Sequence, residues 1–577
     1  MSPSETTTAG TMHLSLGAHA DAVNAKIDEF DKNKVVSRVW QHDASLWTKS
    51  GEEKWLGWLD VASTQLKDAK TFTALAEDIR SAGFTQALLL GMGGSSLCVE
   101  VLRLTFGTRP GFPDMLVLDS TVPAQVLRTR EAIDPAKTVF IVASKSGGTT
   151  EPNVFLAYFY DEVKKVVGDK VGQHFIAITD PGSTMEVRAK ELKFRKIFYG
   201  VPEIGGRYSA ISNFGMIPSA VMGYDVTTFL THAEKMEQAC RNNEAVRQNP
   251  GALLGTVMGT LATRGVDKVT LITSPAIGSL GAWLEQLLAE STGKQGKGLI
   301  PIGSEKLESP EHYGKDRLFA YVRLASEPDA AQDKAVKALS DAGLPVVTME
   351  MPTKEDLGAE FFRWEMATAI AGSVIGINSF DQPNVQESKD YTKKYLAEFD
   401  EKGALPEDEL LLEQDGIKLY VDKKNKAEFE KAGAKTLDAA LTAHFARIKD
   451  GDYFATNAYV DRTPALETKL SALRTHVLEK KHCATTLGFG PRFLHSTGQL
   501  HKGGPNSGVF LQVTSNDARD VKVPGEKYTF GVLKQAQALG DFLALSNRDR
   551  RLLRVHLPAD VDKGLERLKQ AFDVALK

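Results

Sequence analysis

The sequence predicts an α/β fold in which two tandem doubly wound parallel-sheet domains lie between a helical N-terminal arm and an additional C-terminal α/β lobe. Short apolar runs, Ala87–Leu90, Met115–Leu118, Val139–Val142 and Phe175–Ile178, alternate with longer amphipathic segments, the pattern of buried parallel strands joined by crossover helices. A second series opens at Val269–Thr273 and continues through Leu318–Val322 and Val346–Met349. A chain of 577 residues exceeds one domain at about 100–200 residues each.

Taken in order, the Ser/Thr-rich start Met1–Thr11 predicts a disordered tip. Ala18–Leu66 predicts helices whose Trp40, Trp47, Trp55 and Trp58 form an aromatic face to be packed on something larger. Residues 1–77 are assigned to this tip and arm. Residues 78–263 form the first α/β domain, closed by a helix over Asn213–Gly223 and a helical stretch to Thr263. Residues 264–395 form the second, with helices around Gly281–Glu290 and Phe361–Ile375. The charged stretches Lys389–Gly403 and Glu407–Asp415 predict a connection between lobes. Tyr453–Val460, Ala484–Gly488, Val509–Val513 and Leu552–Leu557 are the expected strands of a third lobe over residues 396–577.

Composition narrows the function. Lys and Arg number 70 against 74 Asp and Glu, a net charge of −4, so nothing global favours nucleic acid or an acidic membrane surface. Three cysteines, Cys98, Cys240 and Cys483, are too few and scattered for a disulfide framework or a Cys-based zinc site. No apolar run reaches transmembrane length and the start lacks the order of a secretory signal. A soluble cytoplasmic protein is expected.

Ser144-Lys145-Ser146-Gly147-Gly148-Thr149-Thr150 follows the strand Val139–Val142. Hydroxyls, backbone amides and one cation at the start of a helix make a phosphate cradle, and Pro152 suits the first helical turn. A second loop, Gly91-Met92-Gly93-Gly94-Ser95-Ser96, follows Ala87–Leu90. It is not a dinucleotide fingerprint, because Ser96 stands where the third glycine belongs. Nor does the chain hold a P-loop. Two such loops side by side at the carboxyl edge of one sheet favour a small phosphorylated ligand.

Three further segments carry charge. Gly205-Gly206-Arg207-Tyr208-Ser209 presents an arginine suited to a developing oxyanion. Glu290, in Ala289-Glu290-Ser291-Thr292-Gly293-Lys294, lies near a helix end marked by Gly293, where the dipole disfavours a carboxylate and favours a base; pairing with Lys294 is the alternative. In Ser379-Phe380-Asp381-Gln382-Pro383-Asn384-Val385-Gln386-Glu387-Ser388-Lys389, Pro383 is placed to begin a helix that carries Gln382 and Lys389 two turns apart.

In this order, these segments resemble those of the phosphoglucose isomerase family, enzymes built on sugar-isomerase (SIS) domains, over roughly Asp78 to Lys394. With the arm and the C-terminal lobe, the whole chain looks most like the isomerase half of bifunctional transaldolase/phosphoglucose isomerase proteins; no transaldolase portion is expected within these 577 residues. The resemblance implies reversible conversion of glucose 6-phosphate and fructose 6-phosphate through a cis-enediol, with no metal or redox cofactor. Ser95, Ser144, Ser146 and Thr149 would hold the phosphate, Gly94 and Lys145 would line its pocket, and Arg207 would steady the enediolate. Glu290 would move the proton between C2 and C1, and Gln382 and Lys389 would lie near the ring oxygen and phosphate. For the ring-opening histidine, spacing favours His312 and the local motif Leu494-His495-Ser496-Thr497-Gly498-Gln499 favours His495, with His501 a further possibility. His495 is preferred, since a separate lobe or subunit can complete a site. A homodimer is the implied assembly. The rivals are a sugar-phosphate-binding regulator without turnover and an isomerase that also takes mannose 6-phosphate.

Overall fold

The computed structural model describes residues 5–7, 10–406 and 408–577. The expected disordered tip therefore lies mostly outside the described residues, and its last part differs from expectation: Gly10–Ser15 is a strand, paired antiparallel with Val346–Met351.

Three sheets organise the chain. The first runs in the order Asp114–Leu118, Gln86–Gly91, Thr138–Ala143, Phe175–Thr179, Lys196–Tyr199, every neighbouring pair parallel. Chain order reverses between Gln86–Gly91 and Thr138–Ala143, so this is a doubly wound sheet whose crevice opens at the carboxyl ends of those two strands. Every residue of Thr138–Ala143 is buried, as helices on both faces require. The second sheet runs Glu5–Thr7, Gly10–Ser15, Val346–Met351, Arg317–Leu324, Lys268–Thr273, Ile300–Gly303, parallel from Val346–Met351 onward. The third runs Glu409–Gln414, Ile417–Val421, Arg551–Leu557, Gly508–Ser515, Tyr453–Tyr459, Ala484–Phe489, with an antiparallel hairpin on a parallel set. The α/β class and parallel sheets match the expectation.

The arm packs as its tryptophans foretold. Trp40 stacks on Phe362 at 6.4 Å, Trp47 donates its indole N–H to the Ala369 carbonyl at 2.8 Å, and Trp58 lies fully buried against Tyr208 and Phe362. Their common support is the helix Leu357–Ile375. One apolar core runs from the arm through the inner faces of the first and second sheets, so these two units share a core.

Four further elements differ from the sequence reading. The charged stretch expected as a connection is the helix Val385–Lys402 and the edge strand Glu409–Gln414. Tyr391, Tyr395, Leu396 and Phe399 give the helix a narrow apolar stripe against Phe530, Leu533 and Leu539 of the third lobe, which charges on its other faces conceal. The strand tolerates its charges because an edge strand keeps one face in water. Lys196–Tyr199 and Ile300–Gly303, each of 4 residues, are strands too short for alternation to reveal. The helix begins at Val385 with Asn384 as its cap, so Gln382 lies in the preceding loop and not on the helix with Lys389.

Candidate active site

Gly91 and Ala143 pair at the ends of adjacent strands, which sets the two Gly/Ser loops side by side at the sheet's carboxyl edge. Asn153 Nδ2 donates to the carbonyls of Gly147 and Thr149, both at 2.8 Å, and so holds the second loop at the start of the Thr150–Val167 helix. The hydroxyls of Ser95, Ser144, Ser146 and Thr149 come from residues that line a cavity of about 390 Å³. Ser144 Oγ is buried with no protein partner among the described residues, and Thr149 caps its helix by backbone alone. These donors and the positive end of an 18-residue helix suit an anion. Lys145 lines the same cavity, but its ammonium sits on Asp180 at 2.5 Å and donates to the Val201 carbonyl at 3.0 Å. What the cradle offers an anion is therefore chiefly hydroxyls and amides.

Gly94 is the point of closest approach between loops: a Cβ there would lie 2.0 Å from the Gly206 carbonyl oxygen, a contact that backbone cannot relieve. Gly94→Ala is therefore expected to displace Arg207 and lower the melting temperature, measurable by thermal shift; wild-type behaviour would refute the packing argument.

Arg207 is 1 % exposed and immobilised. Its Nε donates to Ser291 Oγ at 2.7 Å, Nη1 to Gln382 Oε1 at 3.0 Å, and Nη2 to the carbonyls of Ser379 and Asp381 at 2.6 and 3.0 Å. The guanidinium thus ties the loop bearing Gln382 to the helix Leu280–Thr292, which bears Glu290 on its last turn. Arg207 Nη1 stands 3.9 Å from Glu290 Oε1. Glu290 Oε2 accepts from Gln286 Nε2 at 3.0 Å, and the same Nε2 donates to the His495 carbonyl at 2.8 Å. Sequence reasoning does not single out Gln286, although its place one turn before Glu290 is a usable signal. Lys294 does not pair with Glu290. It bonds to Asp381 at 2.8 Å, away from the cavity, and burial, helped by Arg207, pushes its ammonium pKa down to about 7.

His495 arrives from the third lobe, at the end of the short helical turn Arg492–His495 that follows the strand Ala484–Phe489. Its Nε2 lies 2.9 Å from Glu151 Oε1, which also accepts from Gln537 Nε2 at 2.6 Å. Burial opposes ionisation of Glu151, but the His495 ring and then Lys389 hold its pKa below the usual carboxylate value. A carboxylate facing Nε2 fixes the tautomer, leaving Nδ1 as the basic nitrogen of the neutral ring. Glu151 is the second residue that sequence reasoning misses, hidden because it looks like an ordinary acidic residue of a first helical turn.

His495, Lys389, Gln382, Glu290, Arg207, Gly94 and the cradle residues all line the one cavity. His312 does not. It sits in the turn Pro310–His312, with Nδ1 3.1 Å from Ser309 Oγ and its ring stacked on His482 at 5.7 Å. His501 is 2 % exposed and packs edge-on against Phe510, outside the cavity. The spacing argument for His312 is thus corrected by the fold, which brings a later segment to the sheet edge.

A doubly wound sheet thus brings a hydroxyl cradle, a fixed arginine, Glu290 and a carboxylate–histidine pair to one cavity. Residues 69–299 match the family model described as phosphoglucose isomerase. A glucose-6-phosphate isomerase of Rubrobacter xylanophilus is 28% identical over 365 residues, covering 55% of this chain and 84% of the relative. One from Staphylococcus epidermidis is 26% identical over 408 residues, covering 63% and 91%. Among solved structures, a hypothetical protein of Thermus thermophilus superposes with a TM-score of 0.59 at 23% identity, over 67% of this chain and 100% of that one. A glucose-6-phosphate isomerase of Chlamydia trachomatis superposes with a TM-score of 0.56 at 17% identity, over 68% and 90%. Both share the fold.

Proposed function

We infer that this chain is a glucose-6-phosphate isomerase, an aldose–ketose isomerase that interconverts glucose 6-phosphate and fructose 6-phosphate. The observation that carries the reading is convergence: a phosphate cradle, Arg207, Glu290, Gln382, Lys389 and His495 line one cavity of about 390 Å³, although they come from both ends of the chain. A regulator that only binds sugar phosphate needs the cradle but not this set of groups opposite it.

In the proposed mechanism the cradle receives the phosphate through Ser95, Ser144, Ser146 and Thr149. His495, oriented by Glu151, and Lys389 relay the proton that opens the ring at its oxygen. Glu290 then takes the proton from C2 and returns it to C1, while Arg207 stabilises the oxyanion that develops between them. The rigidity of Arg207 serves this last step, because a donor already fixed by four hydrogen bonds needs no reorganisation as charge appears. The Trp-rich arm and the C-terminal lobe support the closer likeness to the isomerase half of bifunctional transaldolase/phosphoglucose isomerase proteins. A homodimer belongs to the same proposal, as does a cytoplasmic setting, which three buried free cysteines support.

The test is conversion of fructose 6-phosphate to glucose 6-phosphate by the purified chain. Ser144→Ala is expected to raise KM about tenfold with little change in kcat, as loss of one hydrogen bond to a charged group made in ground and transition states alike requires. No turnover by the wild-type chain, with fructose 6-phosphate still bound, would overturn the enzyme reading in favour of a sugar-phosphate regulator.

A further inference from the structure

The third sheet carries an unusual inner face. Strand alternation places Lys418, His556 and Thr514 in one row, and Tyr420 beside Arg554 in the next, on Ile417–Val421, Arg551–Leu557 and Gly508–Ser515. A sheet face beneath a helix ordinarily presents apolar side chains. Here the helix above, Phe530–Ser546, adds another cation, Lys534. These side chains enclose a cavity of about 260 Å³ that shares no lining residue with the isomerase cavity.

Its charges are only partly compensated. Lys534 Nζ is held by Asp517 at 2.7 Å and the Ser515 carbonyl at 3.0 Å. Arg554, 7 % exposed, pairs with Asp408 at 2.5 Å and lies over the Tyr420 ring at 4.4 Å, yet its buried Nε has no partner among the described residues. Lys418 makes no ion pair among the described residues. Asp408 and Asp517 thus hold Arg554 and Lys534, with Asp520 also acting on Lys534, while Glu413 lies opposite Lys418 across the strands without forming an ion pair with it. Burial, followed by Arg554, Lys534 and Lys418, drives the His556 pKa down to about 4, and its ring is held by Thr514 at 2.9 Å and Asn516 at 3.1 Å.

We propose that this cavity is a second anion-binding site, taking a small ligand of the phosphate or carboxylate class, with Lys418 and Arg554 supplying the charge and the unsatisfied donor. The size admits a small metabolite and excludes a polymer. The helix that roofs it also carries Gln537, the donor to Glu151, so a bound anion touches the element that fixes the partner of His495.

Equilibrium dialysis of inorganic phosphate against the full chain tests the site. Two equivalents per chain are expected, one displaced by fructose 6-phosphate and one not. Lys418→Glu, at a half-exposed position, should weaken the second at least about tenfold while isomerase turnover stays unchanged, and Arg554→Met, which keeps the volume, should do the same. A single equivalent, or a second one indifferent to both substitutions, overturns the proposal.

Discussion

Glu290→Gln is expected to lower kcat for fructose 6-phosphate by roughly 10²- to 10⁴-fold, the span attributable to a positioned general base, while KM stays near the wild-type value. Glutamine matches glutamate in shape and can keep the contact with Gln286, which stands 3.0 Å away, so the cavity should retain its form. What disappears is the basic oxygen. Exchange of a C1 hydrogen of bound fructose 6-phosphate with solvent gives a second readout and should fall in parallel. A variant within about threefold of wild-type turnover would remove Glu290 from the proton-transfer role, since a residue contributing the expected factor cannot be dispensable.

His495→Ala is expected to reduce kcat/KM on cyclic hexose phosphates by roughly 10²-fold or more, the lower part of the acid–base range, whereas His312→Ala should be neutral. The contrast follows from placement, because His495 lines the cavity and bonds to Glu151 at 2.9 Å, while His312 lies beside Ser309 and His482. A four-carbon aldose phosphate, too short to close a six-membered ring, separates ring opening from mere structural support: its turnover should suffer far less from His495→Ala. Equal losses on both substrates, or a larger loss from His312→Ala, would show that His495 does not open the ring.

Much of this site can be read along the chain because its parts are local. Each cradle loop announces itself by small and hydroxylated residues directly after an apolar run, and the strands Gln86–Gly91 and Thr138–Ala143 fall where those runs predict. Arg207 and Glu290 are legible for the same reason, each standing beside glycines or at a helix end. What escapes is relational. Glu151 becomes noteworthy only once His495, 344 positions away, is set against it, and Gln286 only once its amide bridges Glu290 and the His495 carbonyl. The histidine itself cannot be chosen by spacing, since distance along the chain says little where a later lobe folds back on an earlier sheet. Val385–Lys402 reads as a connection because its buried stripe is narrow and flanked by charge.

The late position of His495 also bears on how the enzyme matures. Cradle, arginine and base are all synthesised by residue 290, but the histidine emerges after the strand Ala484–Phe489, and Gln537, which steadies its carboxylate partner, later still. Contacts of such long range form slowly, and chains of this size fold unit by unit as they leave the ribosome. On the proposed roles, the growing polypeptide carries the residues assigned to phosphate binding well before those assigned to ring opening.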